Sequence, residues 1–107
     1  MSNLNPEKIY NSLIESGESW ADLQAAAELL EESKKSVLAE LANKCPENSL
    51  GARESLALAD PVYRLHLVNM VAARQAATRA RVRYDALKVL ADMRRTIESS
   101  RRAEMKL

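Results

Sequence analysis

Residues that bend, cross-link or stack a chain are scarce here, and each scarcity removes a class of fold or chemistry. The single cysteine, Cys45, has no internal partner for a disulfide. One histidine, His66, beside that one thiol gives metal binding and nucleophile–base catalysis little to build on. Aromatic residues make up 4% of the chain, with no Phe and one Trp, so a core must come from Leu, Val and Ala and is thin. Gly17 and Gly51 stand apart, which excludes a glycine-rich phosphate loop. Two Gly and three Pro are also too few for the turns of a sheet protein, whereas abundant Ala, Leu, Glu, Arg and Lys suit long helices. Neither a run of about 18 apolar residues nor a secretory signal is visible, so the expectation is a cytoplasmic protein with no membrane partner and no cofactor.

What is present is a long apolar stripe. Ile9, Leu13, Ser16, Trp20, Leu23, Ala27, Leu30, Lys34, Val37 and Leu41 follow an unbroken 4-3 spacing, and eight of the ten are apolar. That is a coiled-coil seam, and it demands cover from another helix. The start is marked by Asn5-Pro6-Glu7, an N-cap followed by proline at the first helical position and an acid in the first turn. Gly17 costs about 1 kcal/mol relative to Ala in a helix interior, but the seam passes through it in phase, so one helix is expected over 6–44 with a bend allowed at Gly17. Asn43, Pro46, Glu47, Asn48, Ser49 and Gly51 then collect the turn formers. A turn and short helix occupy 45–59, with Ser49 as cap, Arg53 and Glu54 outside, and Leu50, Leu56 and Leu58 folded inward. Asp60-Pro61 repeats the cap-plus-proline signal and opens a second long helix over 61–104.

The second helix carries a 4-3 register of its own: Leu58, Val62, Leu65, Asn69, Ala72, Ala76, Arg79, Arg83, Ala86, Leu90, Met93 and Ile97. Laid antiparallel on the first seam, it pairs Leu41 with Val62, Lys34 with Asn69, Ala27 with Ala76, Trp20 with Arg83 and Leu13 with Leu90. The indole would then meet a guanidinium, and the two polar seam residues would meet each other. Beside this register runs a second stripe, Ala73, Ala77, Ala80, Tyr84, Leu87 and Ala91, expected to serve as an oligomer or partner surface. Two helices of about 40 and 45 residues make a hairpin about 60 Å long with no third layer. The expected fold is therefore a single all-α domain over 1–107, an antiparallel, coiled-coil-like hairpin with a short connecting helix, which assembles as a homo-oligomer into a larger bundle.

Charge is divided along the chain. Residues 1–60 hold 5 Lys/Arg against 11 Asp/Glu, and residues 61–107 hold 11 against 4. The leading explanation is pairing between the halves beside the seam. Nine of the eleven later basic residues are Arg, a residue suited to bidentate contact with carboxylate or phosphate. Arg94, Arg95, Arg101, Arg102 and Lys106 are thus the candidate nucleic-acid contacts of an alternative reading, weakened by the interleaved Asp92, Glu98 and Glu104. Tyr10, Tyr63 and Tyr84 are the tyrosines available for base stacking. His66 is read as a flank histidine, Cys45 as a plain thiol in a turn, and Glu28, Glu31 and Glu32 as a solvated face, since no Glu-x-x-His pair accompanies them.

The C-terminal half, with Ala52-Arg53-Glu54, Ala59-Asp60-Pro61-Val62-Tyr63-Arg64, Arg81-Val82-Arg83-Tyr84-Asp85 and Arg101-Arg102-Ala103-Glu104-Met105, resembles small helical proteins encoded by tailed phages and prophages. That resemblance implies a hairpin of two long helices, a setting among early genes for recombination, single-strand handling or host takeover, and work in a host cytoplasm. It implies no reaction and carries over no active residue. The expectation is a non-enzymatic accessory protein that acts by binding another protein in DNA recombination or replication, or by modulating a host protein. The alternative is a nucleic-acid binder using the Arg-rich second helix.

Overall fold

The computed structural model describes residues 5–46 and 49–106, with Lys106 described in its backbone alone. Met1–Leu4, expected as a frayed start, and Glu47 and Asn48 of the expected turn lie outside the described residues. Three helices follow one another: α1 (Pro6–Asn43), α2 (Leu50–Ala59) and α3 (Pro61–Lys106), with no strand among the described residues.

Local chemistry accounts for the three helix starts and for the ends of α1 and α2. The side-chain oxygen of Asn5 accepts from the N–H of Glu7 at 3.0 Å and its backbone oxygen accepts from Ile9 at 3.0 Å, so the free donors of the first turn of α1 are satisfied. After Asn43 the chain tightens into a turn, where the N–H of Cys45 donates to Ala42 at 3.1 Å. Pro46 then prevents helix from resuming at once. Ser49 caps α2, its hydroxyl accepting from Ala52 at 3.1 Å. Asp60 serves two helices. Its N–H donates to Ala57 at 3.1 Å, closing α2, and its carboxylate accepts from Val62 at 2.8 Å, opening α3.

The chain packs as two units, one of Met1–Asp22 with Thr78–Leu107 and the other of Leu23–Ala77. In the first unit Ile9 and Ala80 are buried, while Leu13, Trp20, Tyr84, Leu87 and Ala91 are half-buried. Trp20 and Tyr84 stack at a tilt, with ring centroids 5.7 Å apart and planes 36° from parallel. Lys88 lies over the Tyr84 ring, 5.0 Å from its centroid, and pairs with Asp85 at 3.3 Å. In the second unit Ala27, Ala42, Ala57, Tyr63, Met70 and Ala77 are buried. His66 fixes α3 to α1 there: its Nε2 sits 2.8 Å from the backbone oxygen of Leu30, and because a carbonyl only accepts, that nitrogen carries the proton and donates. Arg74 and Glu31 form an ion pair on the surface of the same unit. Both side chains are about half exposed, so it contributes no more than about 1 kcal/mol.

The seam of α1 lies where its spacing predicts, with all ten positions from Ile9 to Leu41 buried or half-buried. Helix α3 is turned by one residue from expectation. Val62, Leu65 and Met93 of the expected register are more than half exposed, and Asn69, Ala72, Arg79, Arg83 and Ala86 are exposed too. The packed positions are Tyr63, Met70, Ala73, Ala77, Ala80, Tyr84, Leu87 and Ala91. Desolvation decides between the two stripes. Burying Asn69, Arg79 and Arg83 without partners costs several kcal/mol for each charge, whereas the alanines hold no polar side-chain atom and let helices approach closely. Trp20 consequently meets Tyr84 and not Arg83, and the expected Lys34–Asn69 pair is not made because Asn69 faces solvent. The inward folding expected of α2 is corrected as well. Leu50, Leu56 and Leu58 are 68%, 52% and 50% exposed, and the small Ala57 is the buried residue of α2, with Ala52 and Arg53, about one turn earlier, half-buried.

No break occurs at Gly17, which keeps helical backbone without a positive φ. A methyl group built there would stand 3.5 Å from Cε2 of Tyr84, an ordinary van der Waals contact. Gly17→Ala therefore gains helix propensity without a clash, and a stabilisation of about 0.5–1 kcal/mol is expected. Urea denaturation checks it, and a lower midpoint would show that the ring needs the empty space.

Candidate interaction surface

The residues expected to form an oligomer or partner surface are already in use within the chain. Ala77 and Ala80 are each 2% exposed, and Ala73, Tyr84, Leu87 and Ala91 are half-buried. Ala77 and Ala80, at 2% exposed, are not open to another chain, and the other four keep only part of their surface in solvent. The physical reason is the rotation of α3: the small-residue stripe has become the packed face.

The rotation leaves a different apolar set in solvent. Reading α3 outward gives Leu65, Val68, Ala72, Gln75, Arg79, Val82, Ala86, Val89 and Met93, again at 3-4 spacing, so the helix has two apolar faces. In the second unit Val68 is 63% exposed, and together with Leu67, Val71, Ala72 and Gln75 it lines a shallow apolar groove. In the first unit Val82, Val89 and Met93 stand exposed on α3, while Tyr10 and Ile14 stand exposed on α1. Spacing alone, carried one residue further round the helix, was the available signal for Val68, Val82 and Val89.

The basic candidates do not form one cluster of free cations. Arg94 is half-buried and its guanidinium sits 2.8 Å from the Glu98 carboxylate, and Arg95 pairs with Asp92. Arg101 and Arg102 are exposed near the end of α3, and the side chain of Lys106 lies outside the described residues. Of the tyrosines considered for base stacking, Tyr63 is buried, Tyr84 is occupied by Trp20 and Lys88, and Tyr10 is open. Cys45 is half-buried in the turn. No group of three or more His, Cys, Asp or Glu gathers at metal-binding distance among the described residues. No helix is long and apolar enough to cross a membrane among them either.

Packed helix on helix in each unit, with unsatisfied apolar surface outside, the chain belongs in physical terms to the all-α class. Comparison with protein-family models, curated proteins and solved structures finds no match to it.

Proposed function

We propose that this protein is a non-enzymatic helical hairpin, with α1 and α3 antiparallel, that self-associates and works by binding another protein through the outward apolar face of α3. One observation supports this reading above the others: Val82, Val89 and Met93, each at least 55% exposed, fall seven and then four residues apart on one side of α3 in the first unit, while Ala80 on the opposite side is packed. Exposed apolar residues arranged this way have the form in which one helix recognises another. The setting belongs to the same proposal: an accessory role in recombination or replication, or in modulating a host protein, suggested by the likeness to phage-encoded helical proteins.

Salt separates this reading from nucleic-acid binding by Arg94, Arg95, Arg101, Arg102 and Lys106. Labelled single- and double-stranded oligonucleotides of about 20 nucleotides, titrated by fluorescence anisotropy, are expected to bind at most weakly and to lose that binding between about 50 and 200 mM salt. Submicromolar binding that survives at about 200 mM would replace the protein-binding reading with the nucleic-acid one.

A further inference from the structure

Resting on the self-association just proposed, we infer that two copies of this chain pair through the second unit, α3 of one laid antiparallel on α3 of the other over the groove formed by Leu67, Val68, Val71, Ala72 and Gln75. The whole face belongs to one side of one helix. On the other side Met70 and Ala77 are buried and His66 is bonded to Leu30 of α1, so covering the groove displaces no contact already made. Val68 and Val71 are exposed, as is Leu65 one turn before Val68.

Charge and shape identify the occupant. Residues 65–73 form a run of nine without Asp, Glu, Lys or Arg, the longest in the chain, so no like charges meet when this face meets its own copy. Helical spacing makes it self-complementary as well. A two-fold axis at the level between Asn69 and Met70 sets Val68 against Val71 of the second copy, Leu67 against Ala72 and Gln75 against Arg64. A large side chain thus faces a small one, and at each end the Arg64 guanidinium can donate to the Gln75 amide oxygen. The outward stripe of the first unit fails the same operation. Pairing Val82 with Met93 and Ala86 with Val89 brings the exposed Asp85 beside the exposed Asp92 of the copy, a like-charge contact. The stretch around Val68 therefore takes the second copy, and Val82, Val89 and Met93 are left to a different protein.

Opposite charges placed across the axis test this on the full chain. Val68→Glu and Val71→Lys stand at exposed positions, so both variants are expected to melt as the parent does. By sedimentation equilibrium the parent is expected to dimerise with an affinity that changes by less than about threefold between about 50 and 500 mM salt, because the contact is apolar. Each variant alone is expected to dimerise about tenfold or more weakly, since a lone charge loses its water in the contact. An equal mixture is expected to regain the dimer, because the new carboxylate of one copy meets the new ammonium of the other. Val82→Glu, in the first unit, is expected to leave dimerisation unchanged. A Val68→Glu variant that dimerises like the parent, a mixture no tighter than its components, or a Val82→Glu variant that turns monomeric would each overturn this pairing while the broader self-association reading stands. A parent that is monomeric throughout overturns both.

Discussion

Ala80→Glu is expected to destabilise the protein by about 3–5 kcal/mol, a large part of the about 5–15 kcal/mol that holds a domain folded. Ala80 is 2% exposed in the first unit. A carboxylate there loses its water and gains no cation in exchange, and the larger side chain also forces the packed helices apart. Ala86→Glu, six residues along the same helix and exposed, is expected to change stability by no more than about 0.5 kcal/mol. Thermal and urea unfolding followed by far-ultraviolet circular dichroism distinguishes the two. The order of the pair matters more than either magnitude. Had α3 faced inward through Arg79, Arg83 and Ala86, the damaging substitution would be the one at position 86.

Tyr84→Ala carries the second large effect. The ring touches Trp20 with centroids 5.7 Å apart and covers the bare backbone at Gly17. Truncating it removes a large side chain from a unit that buries few others, and a loss of about 2–4 kcal/mol is expected. No hydrogen bond is made by the Tyr84 hydroxyl among the described residues, so Tyr84→Phe is expected to stay within about 0.5 kcal/mol of the parent. Trp20, the one tryptophan of the chain, supplies an internal reporter. Its emission should shift to longer wavelength in Tyr84→Ala as water reaches the indole, and should be unchanged in Tyr84→Phe. Equal loss in both variants would mean that the hydroxyl, and not the ring, is what the site needs.

How far the sequence alone reaches differs between the helices for a physical reason. Helix α1 has one apolar stripe, broken only by Ser16 and Lys34, and no second stripe competes with it, so its buried face follows directly from spacing. The helix starts at Pro6, Leu50 and Pro61 are equally readable, because Asn5, Ser49 and Asp60 are caps whose side chains bond the first turn. Helix α3 has two apolar stripes. Hydrophobicity favours the one with Leu65, Leu90, Met93 and Ile97, and spacing cannot say that Asn69, Arg79 and Arg83 within it would have to be desolvated. Weighing that cost first would have selected Ala73, Ala77, Ala80 and Tyr84 for the packed face. The same rotation opens Val62, Leu65, Asn69, Ala72, Arg79, Arg83, Ala86 and Met93 to solvent, while Ala76 and Leu90 stay half-buried at the edge of the packed face. In α2 hydrophobicity points to the leucines, and the residue that is buried is Ala57.

Cysteine accessibility along α3 tests the central claim most directly. Single substitutions Ala77→Cys, Arg79→Cys, Ala80→Cys, Arg83→Cys and Tyr84→Cys, each made in a Cys45→Ser background, are to be labelled with a maleimide under native conditions and their rates compared with those in denaturant. Slow labelling at 77, 80 and 84, with rates at 79 and 83 close to the unfolded chain, is the pattern predicted. Protection at 79 and 83 with free reaction at 77, 80 and 84 would contradict it, because α3 would then present its other face to α1.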